Sequence, residues 1–283
     1  MAYKISKEDM KKELAKGKTL RQIGREYDIS KSMVQYIAKK YGVESNWSKR
    51  VNIRRADDRF DRIACKETAY IVGFLLGDGH IVSDNDYIDV VQCIKDRYVI
   101  EWMAKYLGVT PQYDYTYNEK ARRFPRVKLK CHINYISKYL GHGLKSERHY
   151  PIVPCEFEPY LLRGLFDADG CICGGTRRDR SRFWWRYAIM HYSRCLEGVQ
   201  KFLYNRLAIS SIVKSRGRTV NDCYVLEINN VDMVQKVMDF MYQDKEFMPF
   251  TRKYDKYIAL RLESDKFMEW KKSPLPNREP TIE

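Results

Sequence analysis

The sequence predicts an α+β protein with two parts. The larger is a duplicated αββαββα unit with internal pseudo-twofold symmetry, and a small all-α domain precedes it. Three observations predict this. An apolar, glycine-spaced segment ending in Asp-Gly occurs twice, as YIVGFLLGDGHI at 70–81 and LLRGLFDADGCI at 161–172. The same order of helical and strand-like stretches follows each copy. The first 66 residues hold 18 Lys and Arg against 9 Asp and Glu and include a helical pattern at 19–42.

The chain has 283 residues, of which 44% are hydrophobic, so a sizeable core can be buried. Its 52 Lys and Arg against 37 Asp and Glu leave a net charge of +15, which favours an anionic partner. With 22 Tyr and 5 Trp among the basic residues, nucleic acid is the leading candidate. A membrane surface ranks second, since no apolar run reaches the ~18 residues that cross a bilayer. The N-terminus has no apolar signal core, so the expected place is the cytoplasm or nucleoid of a bacterial or phage-infected cell, or an organelle, and not secretion. The eight cysteines are scattered without a C-x-x-C pair and read as reduced thiols. The five histidines form no metal-binding pattern.

At the front, TLRQIGREYDISKSMVQYIAKKYG spans 19–42. Leu20, Ile23 and Tyr27 recur at helical spacing. Asp28 stands where a tight turn asks for a left-handed residue, which Asp tolerates. Ser30 can cap a second helix whose apolar face is Val34, Ile37, Ala38 and Tyr41. Gly24 lets the two helices approach. This resembles a helix-turn-helix unit, whose second helix would present Lys31, Ser32, Gln35 and Tyr36 to base edges and Lys39 to the backbone. The expected domain covers 1–46. A charge-dense linker at 47–65 follows.

The first half of the repeat is drawn at 66–155. Strands are expected around Ile81 and at 87–92, a helix at 98–109, strands in QYDYTYN and RVKLKCH, and a closing helix, INYISKYL. The second half is drawn at 156–264. It has strands in Cys171–Gly174 and FWWRYAIMHY, a helix at 196–209, strands in SIVKSRG and CYVLEI, and a helix, VDMVQKVMDFMY. Residues 265–283 form a tail.

Gly73 and Gly77 lie four apart on one helix face, as do Gly164 and Ala168. Small residues there let the two repeated helices pack backbone to backbone. Each helix ends on a carboxylate, Asp78 or Asp169, followed by a glycine expected to turn the chain. Packed about a twofold axis, the helices bring the two aspartates together. Adjacent anions repel unless a cation lies between them. A hard divalent ion with oxygen ligands suits that place.

At this point IVGFLLGDG (71–79) and LRGLFDADG (162–170) resemble the signature of the LAGLIDADG homing endonucleases. The second copy is close, whereas the first has Leu76 and Gly77 where the signature reads Asp-Ala. The resemblance spans about 66–264 and is of the two-motif, monomeric type, with the helix-turn-helix as an addition. It implies a saddle whose curved sheets lie in the major groove of a long double-stranded DNA target. It implies that Asp78 and Asp169, with Gly77 and Ala168 before them, hold Mg²⁺, and that Mn²⁺ or Ca²⁺ can occupy the same site. The implied reaction is double-strand hydrolysis leaving short 3′ overhangs, by a mobile-element enzyme of the kind that homes introns. A basic residue near each site is implied too. GHGLKSERHYP offers Lys145, and MPFTRKYDKY offers Arg252 or Lys253. Neither a protein partner nor a membrane is required.

For DNA contact the strand residues are favoured. They are Arg122, Arg123, Arg126, Lys128 and Lys130 in the first half, and Arg177, Arg178, Arg180, Arg182 and Arg186 in the second. Interleaved aromatics include Tyr113, Tyr115 and Trp184. The competing reading is a non-cleaving binder, either an RNA maturase or a transcription regulator. Such binders need not keep both acids, and this chain has both.

Overall fold

The computed structural model describes residues 5–15, 18, 20–43, 58–81, 86–116, 124–141, 144–179, 181–215, 223–247 and 249–272. By internal contacts the chain forms two compact units, Met1–Arg55 and Ala56–Glu283.

The first unit contains α1 (Lys7–Ala15), α2 (Leu20–Glu26) and α3 (Lys31–Lys40). Its core is Ile5, Met10, Leu14, Leu20, Ile23, Val34, Ile37 and Ala38. Ser30 accepts from the amide of Met33 at 3.1 Å and caps α3, and Asp28 has φ +47°. A Cβ on Gly24 would lie 2.6 Å from the Ile29 carbonyl oxygen. The space that Gly24 leaves therefore serves the turn more than the helix crossing. Lys31, Ser32, Gln35, Tyr36 and Lys39 are all exposed on α3.

The second unit opens with α4 (Lys66–Asp78). It continues through β1 (His80–Ile81), β2 (Tyr87–Cys93), α5 (Arg97–Leu107), β3 (Gln112–Asp114), β4 (Arg126–His132) and α6 (Ser137–Leu140). The second half repeats the series with α7 (Glu158–Asp169), β5 (Gly170–Thr176), β6 (Phe183–His191), α8 (Ser193–Leu207), β7 (Ile212–Ser215), β8 (Tyr224–Ile228) and α9 (Val231–Met241). α10 (Arg252–Lys272) closes it. Both sheets are four-stranded and antiparallel with one topology, β1-β2-β4-β3 and β5-β6-β8-β7.

α4 is apolar all round, with Thr68 through Gly77 buried without a break, which is the pattern of a helix enclosed on every side. It packs lengthwise on α7, whose Leu161, Leu162, Leu165 and Phe166 are fully buried. Each such side chain contributes roughly 1.5–3 kcal/mol by leaving water. On the sheets, burial alternates along β4: Val127, Leu129 and Cys131 point to the core, and Arg126, Lys128, Lys130 and His132 point away.

Three expectations change. The first half does not close with a helix over INYISKYL: α6 is one turn, Ser137–Leu140, and Tyr135 before it has φ +65°, which a helix cannot accommodate. Gly79 and Gly170 do not turn the chain through a left-handed residue, since their φ values are −73° and −86°. They are required because a Cβ would lie 2.4 Å from the Leu75 or the Phe166 carbonyl oxygen. The region 252–272 is helical, so α10 runs through the boundary drawn at 264. Its apolar residues Tyr257, Leu260 and Phe267 are buried, and α10 lies along β5.

Candidate nuclease centre at the paired motif helices

The centre is built where α4 and α7 end side by side. The helices approach until backbone meets backbone. A Cβ on Gly73 would sit 2.1 Å from the Leu161 carbonyl oxygen, and one on Gly164 would sit 2.2 Å from that of Tyr70. At the C-terminal end, a Cβ on Gly77 would lie 2.6 Å from the Ala168 Cβ and 2.9 Å from Asp169 Oδ2. The four expected interface residues are thus in contact, and they bring Asp78 and Asp169 to one place.

Both acids are half-buried. Burial, then the nearby Asp169 carboxylate, pushes Asp78 up to about 6, against the pull of Lys145 and a hydrogen bond from Gln92 Nε2. Burial also raises Asp169, opposed by Lys145, Lys253 and Arg148. Acids at helix C-termini sit against the negative end of the helix dipole. Such a local conflict marks a functional site more often than a structural one.

Two lysines answer it at matching positions. Lys145 Nζ donates to the Gly77 carbonyl oxygen at 2.6 Å. Lys253 Nζ donates to the carbonyl oxygens of Phe166 at 2.6 Å, Asp167 at 2.8 Å and Ala168 at 3.4 Å. Lys145 at Gly77 and Lys253 at Asp167 and Ala168 satisfy carbonyls of the last helical turn; the Phe166 carbonyl also accepts from the Gly170 amide. Burial lowers Lys145, with Arg148 adding to the effect, and burial lowers Lys253 to about 8. Arg252, the other candidate beside Lys253, turns away to Asp96 at 3.3 Å.

Three residues of the centre carry no motif signal. Arg148 is buried and donates to the carbonyl oxygens of Leu75 and Leu76, both at 3.1 Å, and of Gly79 at 3.0 Å. Gln92 reaches Asp78 from the end of β2. His191, at the end of β6, has Nε2 3.1 Å from the Leu76 carbonyl oxygen. The only hint in the sequence was the position of Gln92 and His191 at matched strand ends.

Asp167, the first acid of the second motif, belongs to the core. It accepts from Tyr70 Oη at 2.9 Å and Tyr242 Oη at 3.3 Å, and lies 3.7 Å from Arg163 Nε. Arg163 and Asp167 are one helical turn apart. The corresponding pair in α4 is apolar, Val72 and Leu76, both fully buried. Leu76 therefore replaces a core pair and leaves the centre untouched.

Among the described residues, no group of three or more His, Cys, Asp or Glu side chains is placed to hold a metal. A cation here would rest on Asp78, Asp169 and the carbonyls of Gly77 and Ala168. This donor set fits Mg²⁺, which commonly binds one or two carboxylates and leaves its other positions to water and substrate phosphate.

Of the expected DNA contacts, Arg126, Lys128 and Lys130 share the outer face of the first sheet. Arg126 pairs with Asp114 at 3.1 Å and Lys130 with Asp89 at 2.9 Å. Arg177 and Arg182 close the β5–β6 hairpin, the Arg177 amide donating to the Arg182 carbonyl oxygen at 3.0 Å, and both side chains are exposed, as is that of Arg178. Arg186 lies outward on β6 in contact with Glu227. Exposed Tyr113 and Tyr115 stack with centroids 6.0 Å apart. Arg122, Arg123 and Arg180 lie outside the described residues.

Residues 156–239 match the family model described as a LAGLIDADG-like domain. No curated protein matches the chain. In fold, the chain is similar to the meganuclease I-SmaMI bound to an uncleaveable DNA (TM-score 0.50, 12% identity, 71% of this chain and 89% of that one). It is similar to the LAGLIDADG homing endonuclease I-GzeII in complex with a DNA target (TM-score 0.50, 10% identity, 74% and 93%). Residues 156–239 thus carry the match to a LAGLIDADG-like domain, and the second unit has the fold of the LAGLIDADG homing endonucleases to which it is similar.

Proposed function

We propose that the chain is a site-specific DNA endonuclease that cuts both strands of a long duplex target and leaves short 3′ overhangs. The observation that carries this reading is the meeting of Asp78 and Asp169 at the ends of two helices that touch through Gly73, Gly77, Gly164 and Ala168.

Asp78 and Asp169, with the carbonyls of Gly77 and Ala168, would hold Mg²⁺, or Mn²⁺ or Ca²⁺ in its place. When bound, the divalent cation supplies charge stabilisation at the scissile phosphate and its leaving oxygen. The chain's own residues do the rest. Partial burial raises both carboxylates, and a cation between them would favour their charged form. Gln92 orients Asp78. Lys145 and Lys253, fixed by helix-end carbonyls, set positive charge beside each phosphate. With its pKa near 8, Lys253 can hold or release a proton at Nζ near neutral pH. Arg126, Lys128, Lys130 and Arg186 face the duplex from the sheets, and Arg177, Arg178 and Arg182 from the β5–β6 hairpin; Arg122, Arg123 and Arg180, outside the described residues, are assigned to the same contact on sequence alone. Lys31, Ser32, Gln35, Tyr36 and Lys39 enter a further major-groove segment. One chain carries both halves of the centre, so a monomer suffices.

The test is incubation with DNA spanning an uninterrupted host locus, with Mg²⁺ or with a chelator. A single double-strand cut that needs Mg²⁺ is expected. Tight, specific binding without cleavage would move the protein to the non-cleaving binders.

A further inference from the structure

Because the two sheets share one topology, the halves can be matched residue by residue. His80 and Cys171 each follow the motif glycine, and they pair with Asp89 and Ala188. The ladders carry the match outward. Asp89 opposes Lys130 and Val91 opposes Lys128 in the first sheet. Ala188 opposes Glu227 and Met190 opposes Val225 in the second. Lys128 and Val225 therefore hold the same place in the two halves, and so do Val91 and Met190.

That place lies on the outer face of the sheet in both, with Val91 and Met190 exposed, Lys128 half-buried and Val225 buried at the floor. In the first half its strand neighbours Val90, Val127 and Leu129 are the buried ones. In the second half, Met190 and Val225 line an open groove of about 590 Å³ with Asp169 and Cys171, so this place adjoins the nuclease centre.

The chemistry at the matched place is opposite. The first half presents an ammonium, and among the described residues Lys128 has no ion-pair partner. Its neighbours Lys130 and Arg126 are held by Asp89 and Asp114. The second half presents the thioether of Met190, 38% exposed, backed by the Val225 isopropyl group, 5% exposed. The cations near them, Arg186 and Lys214, are both held by Glu227. In a major groove, lysine donates to guanine O6 and N7, and an apolar side chain packs on the thymine methyl.

We propose that the halves read unlike bases at twofold-matched inner positions of the target: Lys128 a guanine, and Met190 with Val225 a thymine. This rests on the DNA-binding reading above and adds base identity to it.

The experiment is binding-site selection by the full chain from a long randomised duplex, repeated with Lys128→Val, Val225→Lys and Met190→Lys. The wild-type consensus should be non-palindromic, with guanine at one inner position and thymine at its mate. Lys128→Val should lower the guanine preference there roughly 5- to 150-fold. Val225→Lys, or Met190→Lys if the first fails to fold, should shift the thymine position towards guanine. Other positions should not change. The same base at both matched positions, or variants that weaken all sequences equally, would overturn the base assignment while leaving DNA recognition intact. No enriched sequence at all would overturn both.

Discussion

Gly73 and Gly164 oppose each other across a single helix crossing: a Cβ added to Gly164 would lie 3.1 Å from the carbonyl carbon of Gly73 and 2.2 Å from the Tyr70 carbonyl oxygen. Neither neighbour is a side chain that can swing away. Gly73→Ala or Gly164→Ala should therefore force the helices apart and cost about 3 kcal/mol or more. Thermal melting should show a fall of roughly 10 °C for either variant. A melt within a degree of wild type would mean the helices are not this close.

The two acids answer for the chemistry. Asp78→Asn and Asp169→Asn should each abolish double-strand cleavage and leave DNA affinity intact or slightly higher, since each removes a negative charge beside phosphate. Without divalent metal, Asp78→Asn should also raise the melting temperature by a few degrees, because it removes one of two half-buried like charges. Near wild-type cutting of both strands by either variant would remove that aspartate from the centre.

Lys145→Met and Lys253→Met each take one cation from a helix end. We expect cleavage to slow by roughly 10²-fold, with nicked circles accumulating when a supercoiled plasmid carrying the target is used. Affinity, read by gel shift, should change far less. Equal slowing of both strands by both variants, with no nicked intermediate, would argue that each lysine serves the whole centre.

At the far end of the same helix pair, Asp244 accepts from Lys66 Nζ of α4 at 2.8 Å and Tyr160 Oη of α7 at 2.9 Å. Lys66 first, with Tyr160 and the Phe247 amide, lowers Asp244 to about 2. A lowered acid stabilises the fold above its unfolded pKa and loses that contribution as pH falls through the folded one. Asp244→Asn should cost about 1 kcal/mol at pH 7, a modest figure because the pair is partly solvated. The gap in urea midpoint between variant and wild type should close between pH 4 and pH 2. A gap that persists at pH 2 would point to a packing defect.

Deleting residues 1–46 should leave the second unit folded, because its core is formed by its own residues. For every phosphate that the front unit neutralises, its removal should make the salt slope of log affinity shallower by about 0.9. The footprint should shorten at one end only, and the cut should not move. An unchanged footprint and slope would assign the front unit to regulation or to a partner.

Much of this protein is local in sequence and could be read there. The Asp-Gly endings, the small residues four apart and the Ser30 cap all depend on neighbours within a turn or two, so periodicity and residue type announce them. The position of Lys145 and Lys253 after each half was visible as well, but their task was not. Lys145 meets Gly77 across 68 residues and Lys253 meets Phe166 across 87, and only packing decides such pairs. The same holds for Gln92, Arg148 and His191, which have no motif and enter the centre because strand register and chain return bring them there. The turning role given to Gly79 and Gly170 failed for a related reason: what excludes a side chain is the residue one helical turn back, Leu75 at Gly79 and the carbonyl and ring of Phe166 at Gly170, with no need for a left-handed backbone. α10 escaped notice because its apolar residues are few and its polar ones many. Burial against β5 fixes its inner face, and that face exists only once the second sheet has formed.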